Sequence, residues 1–266
     1  MLPGALVIVI PVVILYYYRT GLNKPLAIAF VRMITQLTLV GLYLEYIFEI
    51  NSALINIGWM ILMIFAAAFT IVERVELKFK YFFLPIIFGI VTGAIINGSV
   101  FAFLIVGTDL FFDARYLIPI AGMLIGNSLN SAIIGVRSFF KKLSDDVERY
   151  RFYLMCGATR NEALFQFISE AMQDAFSPTI ASTATIGLIW LPGMMTGQIL
   201  GGSDPITAIQ FQIMIIITIF VGSVITVFIS LNMSKLFAFD DYDMFNKNIF
   251  AEKKRFRKVF SKAFKK

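Results

Sequence analysis

Residues 207–233 read Thr-Ala-Ile-Gln-Phe-Gln-Ile-Met-Ile-Ile-Ile-Thr-Ile-Phe-Val-Gly-Ser-Val-Ile-Thr-Val-Phe-Ile-Ser-Leu-Asn-Met, 27 residues without one charged side chain. A helix needs about 20 mostly apolar residues to cross the hydrocarbon core of a bilayer. Seven runs of this kind occur along the chain, at 2–18, 25–48, 53–72, 81–106, 116–136, 175–195 and 207–233. The sequence therefore predicts an all-α integral membrane protein with seven transmembrane helices.

The composition supports this class. Of the 266 residues, 59% are hydrophobic and only 15% are charged, whereas a soluble domain has roughly 45–50% apolar and about 25% charged residues. This composition argues strongly against a soluble enzyme. One Cys and no His also exclude a disulfide framework, the usual Cys/His zinc sites and a His-based catalytic triad.

The first run, 2–18, has two interpretations because it lies at the N-terminus. A signal peptide would carry a basic segment and a small-x-small cleavage site, and neither is present. The run ends in Tyr16-Tyr17-Tyr18-Arg19, which is typical of a membrane interface. We therefore interpret it as a retained span.

The distribution of Lys and Arg predicts the orientation. With the N-terminus outside and the C-terminus in the cytoplasm, the inner segments hold 21 of the 23 basic residues. Because cytoplasmic loops carry an excess of Lys and Arg, this topology is the favoured one. The inner segments are 19–24, 73–80, 137–174 and 234–266.

The inner loop 137–174 is long and contains six basic and six acidic residues, so we expect it to fold and to face a partner. Apolar residues at three- and four-residue steps predict an amphipathic helix over 138–155. Cys156 to Thr159 should end it. Thr159 is then expected to be the N-cap of a second helix, with Glu162 completing a capping box. The pattern fits either a rigid docking lever or a helical hairpin lying on the membrane.

Several motifs in the second half of the chain are unusual enough to indicate a family. The chain resembles the FetB/YbbM family of ABC transporter permeases from the second span to the end of the seventh. The matching stretches are Arg-Tyr-Leu-Ile-Pro at 115–119, Gly-Met-Leu-Ile-Gly-Asn-Ser at 122–128, Glu148, Gly-Ala-Thr at 157–159 and Leu-Pro-Gly-Met-Met-Thr-Gly-Gln-Ile-Leu at 191–200, with Arg32, Gln36-Leu37 and Val40-Gly41 in the second span.

The resemblance implies a permease subunit in the bacterial inner membrane that works with a separate ATPase subunit. ATP and Mg²⁺ would bind to that partner, and this chain would bind no cofactor. The family is associated with bacterial iron export and is similar to plant permeases linked to aluminium tolerance. The resemblance also implies an ATPase-coupling segment comprising Glu148, Gly157, Ala158, Thr159 and Arg160. In agreement, the sequence contains no Gly-x-x-x-x-Gly-Lys-Ser/Thr loop that could hold a nucleotide phosphate.

Charged residues within spans require a role, because each costs at least about 2.5 kcal/mol to insert. Arg32 lies eight residues beyond Lys24, about 12 Å into the second span, and Gln36 follows one turn later. They either line the transport pathway or pair between subunits, or Arg32 extends back to the lipid phosphates. Glu45 lies near the outer end of the span and is a weaker pathway candidate.

Amide side chains are the other polar candidates for the pathway: Asn97 in the fourth span, and Asn127 and Asn130 in the fifth. Such residues more often hold helices together. The Gly89-x-x-x-Gly93 motif is likewise typical of close helix packing.

Met194 and Met195 follow Pro192-Gly193 where the sixth span reaches the outer face. Thioethers favour soft metals such as Cu(I), whereas the outer carboxylates favour hard metals. Because the two signals point to different metals and neither set forms a spaced cluster, the sequence does not define a metal site. A gate or bend is the better interpretation of the two methionines.

The leading hypothesis is therefore an ABC permease, expected as a homodimer because an ABC motor has two nucleotide-binding subunits. An ATP-independent secondary transporter or channel is the alternative, although we find no internal repeat to support it. A scaffold or receptor is a third possibility. The substrate stays open between iron, another metal and a non-metal solute.

The net charge of +6 belongs to one segment. Residues 1–233, the predicted transmembrane domain, hold 13 basic and 13 acidic residues, whereas the tail 234–266 holds ten basic and four acidic ones. Lys253 to Lys266 predicts a basic amphipathic helix on the anionic inner surface of the bilayer. Contact with the ATPase is the alternative, and nucleic acid is not an expected partner.

Overall fold

A computed structural model of the protein describes residues 7–101, 113–240 and 242–251. Within these ranges the chain is helical, with β-pairing only as isolated bridges. It divides into two compact units, Met1–Ser52 and Ala53–Lys266. The helices are α1 (Val9–Tyr17) and α2 (Asn23–Ile50) in the first unit, and α3 (Ala53–Val75), α4 (Phe79–Phe101), α5 (Ala114–Asp145), α6 (Val147–Met155), α7 (Arg160–Thr183), α8 (Gly193–Leu200) and α9 (Pro205–Ser234) in the second.

Five helices in the described ranges are long and apolar enough to cross a membrane: α2, α3, α4, α5 and α9, the last with its 3₁₀ extension to Phe237. They coincide with the second, third, fourth, fifth and seventh predicted spans. The chain is thus an all-helical, multi-pass membrane protein. The predicted first span lies partly outside the described residues, and α1 accounts for nine residues of it. The total of seven spans and the orientation stay predictions.

The prediction of one continuous sixth span over 175–195 is wrong. Helix α7 ends at Thr183, and α8 begins only at Gly193. The Ser182 and Thr183 hydroxyls both donate to the carbonyl of Thr179, at 2.9 and 2.8 Å, and such bonds compete with helix continuation. Gly187 then adopts a φ of +86°, which a right-handed helix does not allow. Apolar composition alone did not reveal this break.

The prediction of a single amphipathic helix over 138–155 is also wrong, because α5 continues to Asp145 and α6 begins at Val147. The Asp146 side chain accepts a hydrogen bond from the amide of Arg149 at 3.4 Å and so caps α6. The apolar pattern itself is correct, since Phe139, Phe140 and Leu143 are fully buried in the core. The error concerns where one helix ends and the next begins.

Helices α4 and α9 pack closely through small residues. A Cβ atom added at Gly89 would lie 2.2 Å from the Ser230 hydroxyl, and one added at Gly93 would lie 2.2 Å from the Thr226 hydroxyl. One added at Gly222 would collide with Asn97. The expected packing role of the Gly89-x-x-x-Gly93 motif is confirmed.

Helices α5 and α9 run in the same direction. Near their starts, Ile120 and Ile215 share one apolar cluster with the end of α4. Further along, the Ser128 and Ser223 hydroxyls are 3.4 Å apart, and Val227 lies beside Gly135 near the far end. Residues 146–204 must therefore lead from the end of α5 back to the level at which α9 begins.

The described parts of three of the four predicted inner segments lie at one end of the second unit. The α3–α4 connection meets residues 249–251, where the Lys78 amide donates to the Ile249 carbonyl at 2.9 Å. The Tyr150 hydroxyl of α6 donates to the Asp243 carbonyl at 2.8 Å. This clustering fits the predicted sidedness. The fourth segment, 19–24, belongs to the first unit.

Candidate functional site

The α6–α7 turn, which contains most of the proposed coupling residues, has a specific geometry. The Gly157 amide donates to the Leu154 carbonyl at 3.0 Å, and the Ala158 amide donates to the Tyr153 carbonyl at 3.1 Å. With Gly157 at a φ of +90°, this is a Schellman motif, which ends α6 and satisfies its last carbonyls. The positive φ favours glycine at this position. Steric crowding does not, because no atom lies within 4 Å of where the Cβ of another residue would be.

The predicted capping box at the start of α7 is confirmed. The Thr159 amide donates to a Glu162 carboxylate oxygen at 2.7 Å, and the Glu162 amide donates to the Thr159 hydroxyl at 3.4 Å. The Thr159 hydroxyl also donates to Glu162, and these bonds lower the pKa of the Glu162 carboxyl. The turn is therefore fixed at both of its helix ends.

Ion pairs join the hairpin to the end of α5. Lys142 of α5 lies 2.8 Å from Asp174 and 3.4 Å from Glu170, both on α7. Arg149 of α6 lies 3.4 Å from the other Glu170 oxygen and 3.1 Å from Asp146. Its guanidinium also stacks on the Phe167 ring, 4.2 Å from the centroid. The balanced charges of this loop thus stabilise its fold, as expected.

The C-terminal segment, which we define as residues 235–251, packs against the same hairpin. Arg160 forms an ion pair with Asp243 at 2.5 Å. The buried Tyr150 ring packs on Phe239, with centroids 5.2 Å apart, and its hydroxyl bonds to the Asp243 carbonyl. Lys235 donates to the Asn161 side chain at 3.0 Å. These contacts were missed because they join distant parts of the chain and leave no local pattern.

The same segment pairs with the connection between α3 and α4. The Ala251 amide donates to the Glu76 carbonyl at 2.8 Å, and Leu77 and Phe250 form an antiparallel bridge. Ala238 and Ile249 are buried in the main core. Residues 235–251 are therefore part of the folded unit, whereas the predicted amphipathic helix, 253–266, lies outside the described residues.

Three large apolar side chains are exposed near the hairpin turn. Phe152 and Met155 of α6 are 59% and 79% exposed, and Phe165 of α7 is 73% exposed. We call these three residues the tip surface. Along α7, Phe165 is nine residues from Asp174, about 14 Å at 1.5 Å per residue. Asp174 bonds to Ser138, just past the predicted fifth span, so the predicted span boundary places the tip surface outside the hydrocarbon core. Apolar groups exposed there indicate contact with a protein or with the membrane surface.

The five proposed coupling residues have different surroundings. Glu148 is exposed and pairs with Arg151 at 2.9 Å. Gly157 and Thr159 are exposed at the turn, and Ala158 is half-buried between them. Arg160 faces Asp243 and the Phe239 ring instead. Arg160 therefore joins the hairpin to the C-terminal segment, and the coupling roles of all five residues stay predictions.

The candidate pathway residues fall into both units. Arg32, Gln36 and Glu45 all lie on α2 and are exposed. Arg32 and Gln36 share a face, but Glu45 follows Gln36 by nine residues and so points about 180° away. The structure thus groups two of these three side chains. Their roles stay predictions.

The amide candidates have contrasting environments. Asn97 is 1% exposed and lies against Gly222, so it packs α4 on α9. Asn127 and Asn130 are exposed on α5, and the Asn127 amide donates back to the Met123 carbonyl at 2.8 Å. Only the α5 pair is available to a solute or a second chain.

The methionine pair lies on α8. Met195 is buried, and Met194 packs on the cluster formed by Phe101, Ile120, Leu124 and Ile215. Met194 also borders a cavity of about 200 Å³ at the junction of α4, α5, α8 and α9. The polar lining groups belong to Tyr116, Gln198, Ser203 and Thr207. Across the described ranges, no three Cys, Asp or Glu side chains are grouped as metal ligands.

Long apolar helices with a braced helical hairpin at one end define a polytopic membrane protein, an architecture that suits a transport permease. The chain belongs to the UPF0014 family, described as an uncharacterised protein family, whose model matches residues 1–238. The resemblance to the FetB/YbbM family is confirmed by the relatives below.

Three curated relatives illustrate the family. The probable iron export permease protein FetB of Escherichia coli is 31% identical over 79% of this chain and 80% of its own length. The UPF0014 membrane protein YjkA of Bacillus subtilis is 31% identical, covering 79% and 82%. The protein ALUMINUM SENSITIVE 3 of Arabidopsis thaliana is 37% identical, covering 80% and 77%. No solved structure matches the chain significantly.

Proposed function

We propose that the chain is the permease subunit of an ABC transporter, driven by a separate ATPase subunit that binds ATP and Mg²⁺. The α6–α7 hairpin carries this proposal. It projects beyond the predicted inner edge of the membrane and is joined to the membrane helix α5 by the Lys142 ion pairs. A hairpin held in this way can transmit movement between a docked protein and the bundle.

The proposed partner is an ATPase because the chain lacks a nucleotide loop of its own. We expect the ATPase to contact the tip surface together with Glu148, Gly157, Ala158 and Thr159. Phe152, Met155 and Phe165 would fill an apolar cleft, since buried aromatic anchors dominate many interfaces. Arg160 would act by holding the hairpin against Asp243.

We propose iron or another metal as the substrate and export as the direction. Support comes from the relative named as a probable iron export permease. The neutral oxygen atoms of the exposed asparagines suit a passing hard cation, which a transporter must bind weakly enough to release. A non-metal solute is the competing substrate class.

The docking proposal is tested by purifying the chain with the ATPase encoded beside it. Met155→Asp and Phe165→Asp each place a charge on the tip surface and should reduce ATPase binding at least tenfold, since truncating an anchor commonly costs about 2 kcal/mol or more. Tyr242→Asp is the matched control. Tyr242 is 83% exposed in the C-terminal segment and lies outside the proposed contact, so binding should be unchanged.

ATP-dependent uptake of iron into inside-out vesicles containing the complex tests transport. Equal uptake by the chain without ATPase or ATP would instead establish a channel or secondary transporter. Unchanged ATPase binding in both tip variants would exclude the tip surface as the docking site. A flat ATPase response to iron, with stimulation by an organic solute, would replace the proposed substrate.

A further inference from the structure

The return from α5 to α9 must cross the membrane if those two helices do, because they run in parallel. Helix α7 supplies the first part of this return. It lies against α5 and α9 at Gly135, where an added Cβ would be 3.3 Å from the Ala175 Cβ and 2.9 Å from a Val227 methyl. Helix α8 supplies the last part, with Met194 at the level of Ile120 and Ile215. The interruption at 184–192 therefore lies at membrane depth.

Helix α7 leaves the bundle before this interruption. Ala171 and Ala175 are buried on one face of α7. Ser182 lies eleven residues after Ala171, so it returns to nearly the same face after about three turns, yet it is exposed. Pro178, within the helix, lacks an amide donor and disfavours a straight helix at this point. The face that α7 buries near the inner edge is thus uncovered deeper in the membrane.

Helix α5 shows the matching change. Near the inner edge, α7 covers α5 through Ser138, Lys142 and Gly135. Asn127 lies eleven residues before Ser138, on nearly the same face of α5, and it is exposed. Both helices therefore present polar side chains where their contact ends.

Lipid suits the exposed Leu188 and Ile189 side chains of this interruption, but it does not suit the irregular backbone. Lipid-exposed irregular backbone does not occur in the hydrocarbon region of membrane proteins, and non-helical segments there line water-filled cavities or are buried in protein. Interrupted helices of this kind form solute sites in transporters of other folds. The hydroxyls of Ser182 and Thr183 and the side-chain amide of Asn127 donate to their own helices, and their exposed oxygen atoms can accept hydrogen bonds from water.

We propose that Ser182 and Asn127 line a water-filled solute pathway at the point where α7 leaves α5. This inference rests on the proposed transport function and names the wall of its pathway. The neutral hydroxyl and amide oxygens there suit a small hydrated cation, because they can replace water ligands without a fixed charge. The interrupted return, 184–192, would let α7 and α8 move separately.

The inference is tested by thiol labelling of the chain with its ATPase in vesicles. Cys156, the single cysteine, is first replaced by Ser. Ser182→Cys and Asn127→Cys are then treated with a cationic, membrane-impermeant methanethiosulfonate. Ile95→Cys is the matched control, because Ile95 is exposed on α4 at a similar depth. Ile95 is two residues from Asn97, and Asn97 contacts Gly222 of α9. The next residue of α9, Ser223, contacts Ser128, which neighbours Asn127.

Both test cysteines should react at least about ten times faster than Ile95→Cys, because only the thiolate is reactive and an apolar environment suppresses it. Labelling at the control rate would overturn the inference in favour of lipid. Protection combined with oxidative cross-linking through Ser182→Cys would overturn it in favour of a subunit contact. Labelling does not require ATP, so it separates this inference from the proposed ATPase coupling. Fast labelling in a chain that binds no ATPase would indicate a water-filled path of another transporter class.

Discussion

At the scale of single residues, Gly157 is constrained by its backbone conformation. Its φ of +90° is one that other residues rarely adopt, while the space around its Cβ position is open. The constraint is therefore conformational and not steric. It explains why a glycine stands in a turn that is largely exposed, with Cys156 and Thr159 exposed and Ala158 half-buried.

Gly157→Ala should destabilise the hairpin by about 1–2 kcal/mol, the cost of a left-handed conformation for a residue with a Cβ. Hydrogen exchange of the α6 and α7 amides in the purified protein measures this loss. Gly126→Ala is the control, because Gly126 has open space at its Cβ position and an ordinary helical φ. Equal exchange in the two variants would show that the turn adapts without cost.

Tyr150 makes the hairpin sensitive to alkaline pH. Burial, and secondarily the nearby Asp243 charge, raise the pKa of Tyr150 from 10.0 to about 12. Because this pKa is higher in the folded protein, the neutral phenol stabilises the fold fully below about pH 10. That stabilisation is lost as the pH rises through about 12.

Proteolysis within 235–251 should therefore accelerate between about pH 10 and 12, as ionised Tyr150 stops donating to Asp243. Tyr150→Phe should remove this pH-dependent step, whereas Tyr242→Phe, at an exposed position, should keep it. Persistence of the step in Tyr150→Phe would assign it to another group.

At the scale of helices, the α4–α9 pair depends on small side chains along both partners. Gly89 and Gly93 face Ser230 and Thr226, and Gly222 lies under Asn97. Such close approach increases dispersion contacts between helices, which is a main source of association in membranes. The pair also fixes the depth of Asn97, which is therefore a packing residue in this chain.

Gly222→Ala should destabilise the protein by about 1–3 kcal/mol, since its new methyl group would overlap Asn97 in a packed interface. Thermal unfolding in detergent measures the effect. Combining it with Asn97→Ala should recover part of the loss by making space. Gly58→Ala, with open space around it on α3, should be nearly neutral, and a similar loss there would contradict the packing argument.

The C-terminal segment is an element of the fold, and its removal should expose the hairpin. Truncation after Ser234 deletes the partners of Tyr150, Arg160 and Asn161. Truncation after Ala251 retains them. The first variant should show faster proteolysis of the α6–α7 turn and weaker ATPase binding. In the second variant, the turn should be cleaved at the same rate as in the full-length protein. Identical cleavage of both variants would show that the segment does not support the hairpin.

At the scale of the whole molecule, charge and apolar surface are separated. The charged hairpin, the α3–α4 connection and residues 235–251 gather at one end of the second unit, and apolar helices form the remainder. One chain presents one hairpin within its described residues. A motor with two ATPase subunits would therefore require two copies of the permease.

Native mass spectrometry of the complex should accordingly show two 30.0 kDa permease chains with two ATPase subunits. As the control for random aggregation, Cys156→Ser protein is mixed with a differently tagged copy of itself before reconstitution. Complexes that contain both tags then measure chance association. A complex containing one permease chain and an ATPase pair would contradict the homodimer.

The sequence by itself determined the membrane class, most of the spans, the capping box and the family. Each depends on local information, because apolar run length, cap residues and motifs are contained in short windows. Thr159 and Glu162, for example, are three residues apart and could be paired by inspection.

Only the tertiary structure decided where the sixth predicted span breaks and what supports the hairpin. Tyr150 and Asp243 are 93 residues apart, and nothing in either neighbourhood specifies the other. Equally, the exposure of Ser182 follows from α7 leaving α5. A hydroxyl on an apolar helix has the same sequence pattern whether it packs or faces water, so its environment depends on how the helices are arranged.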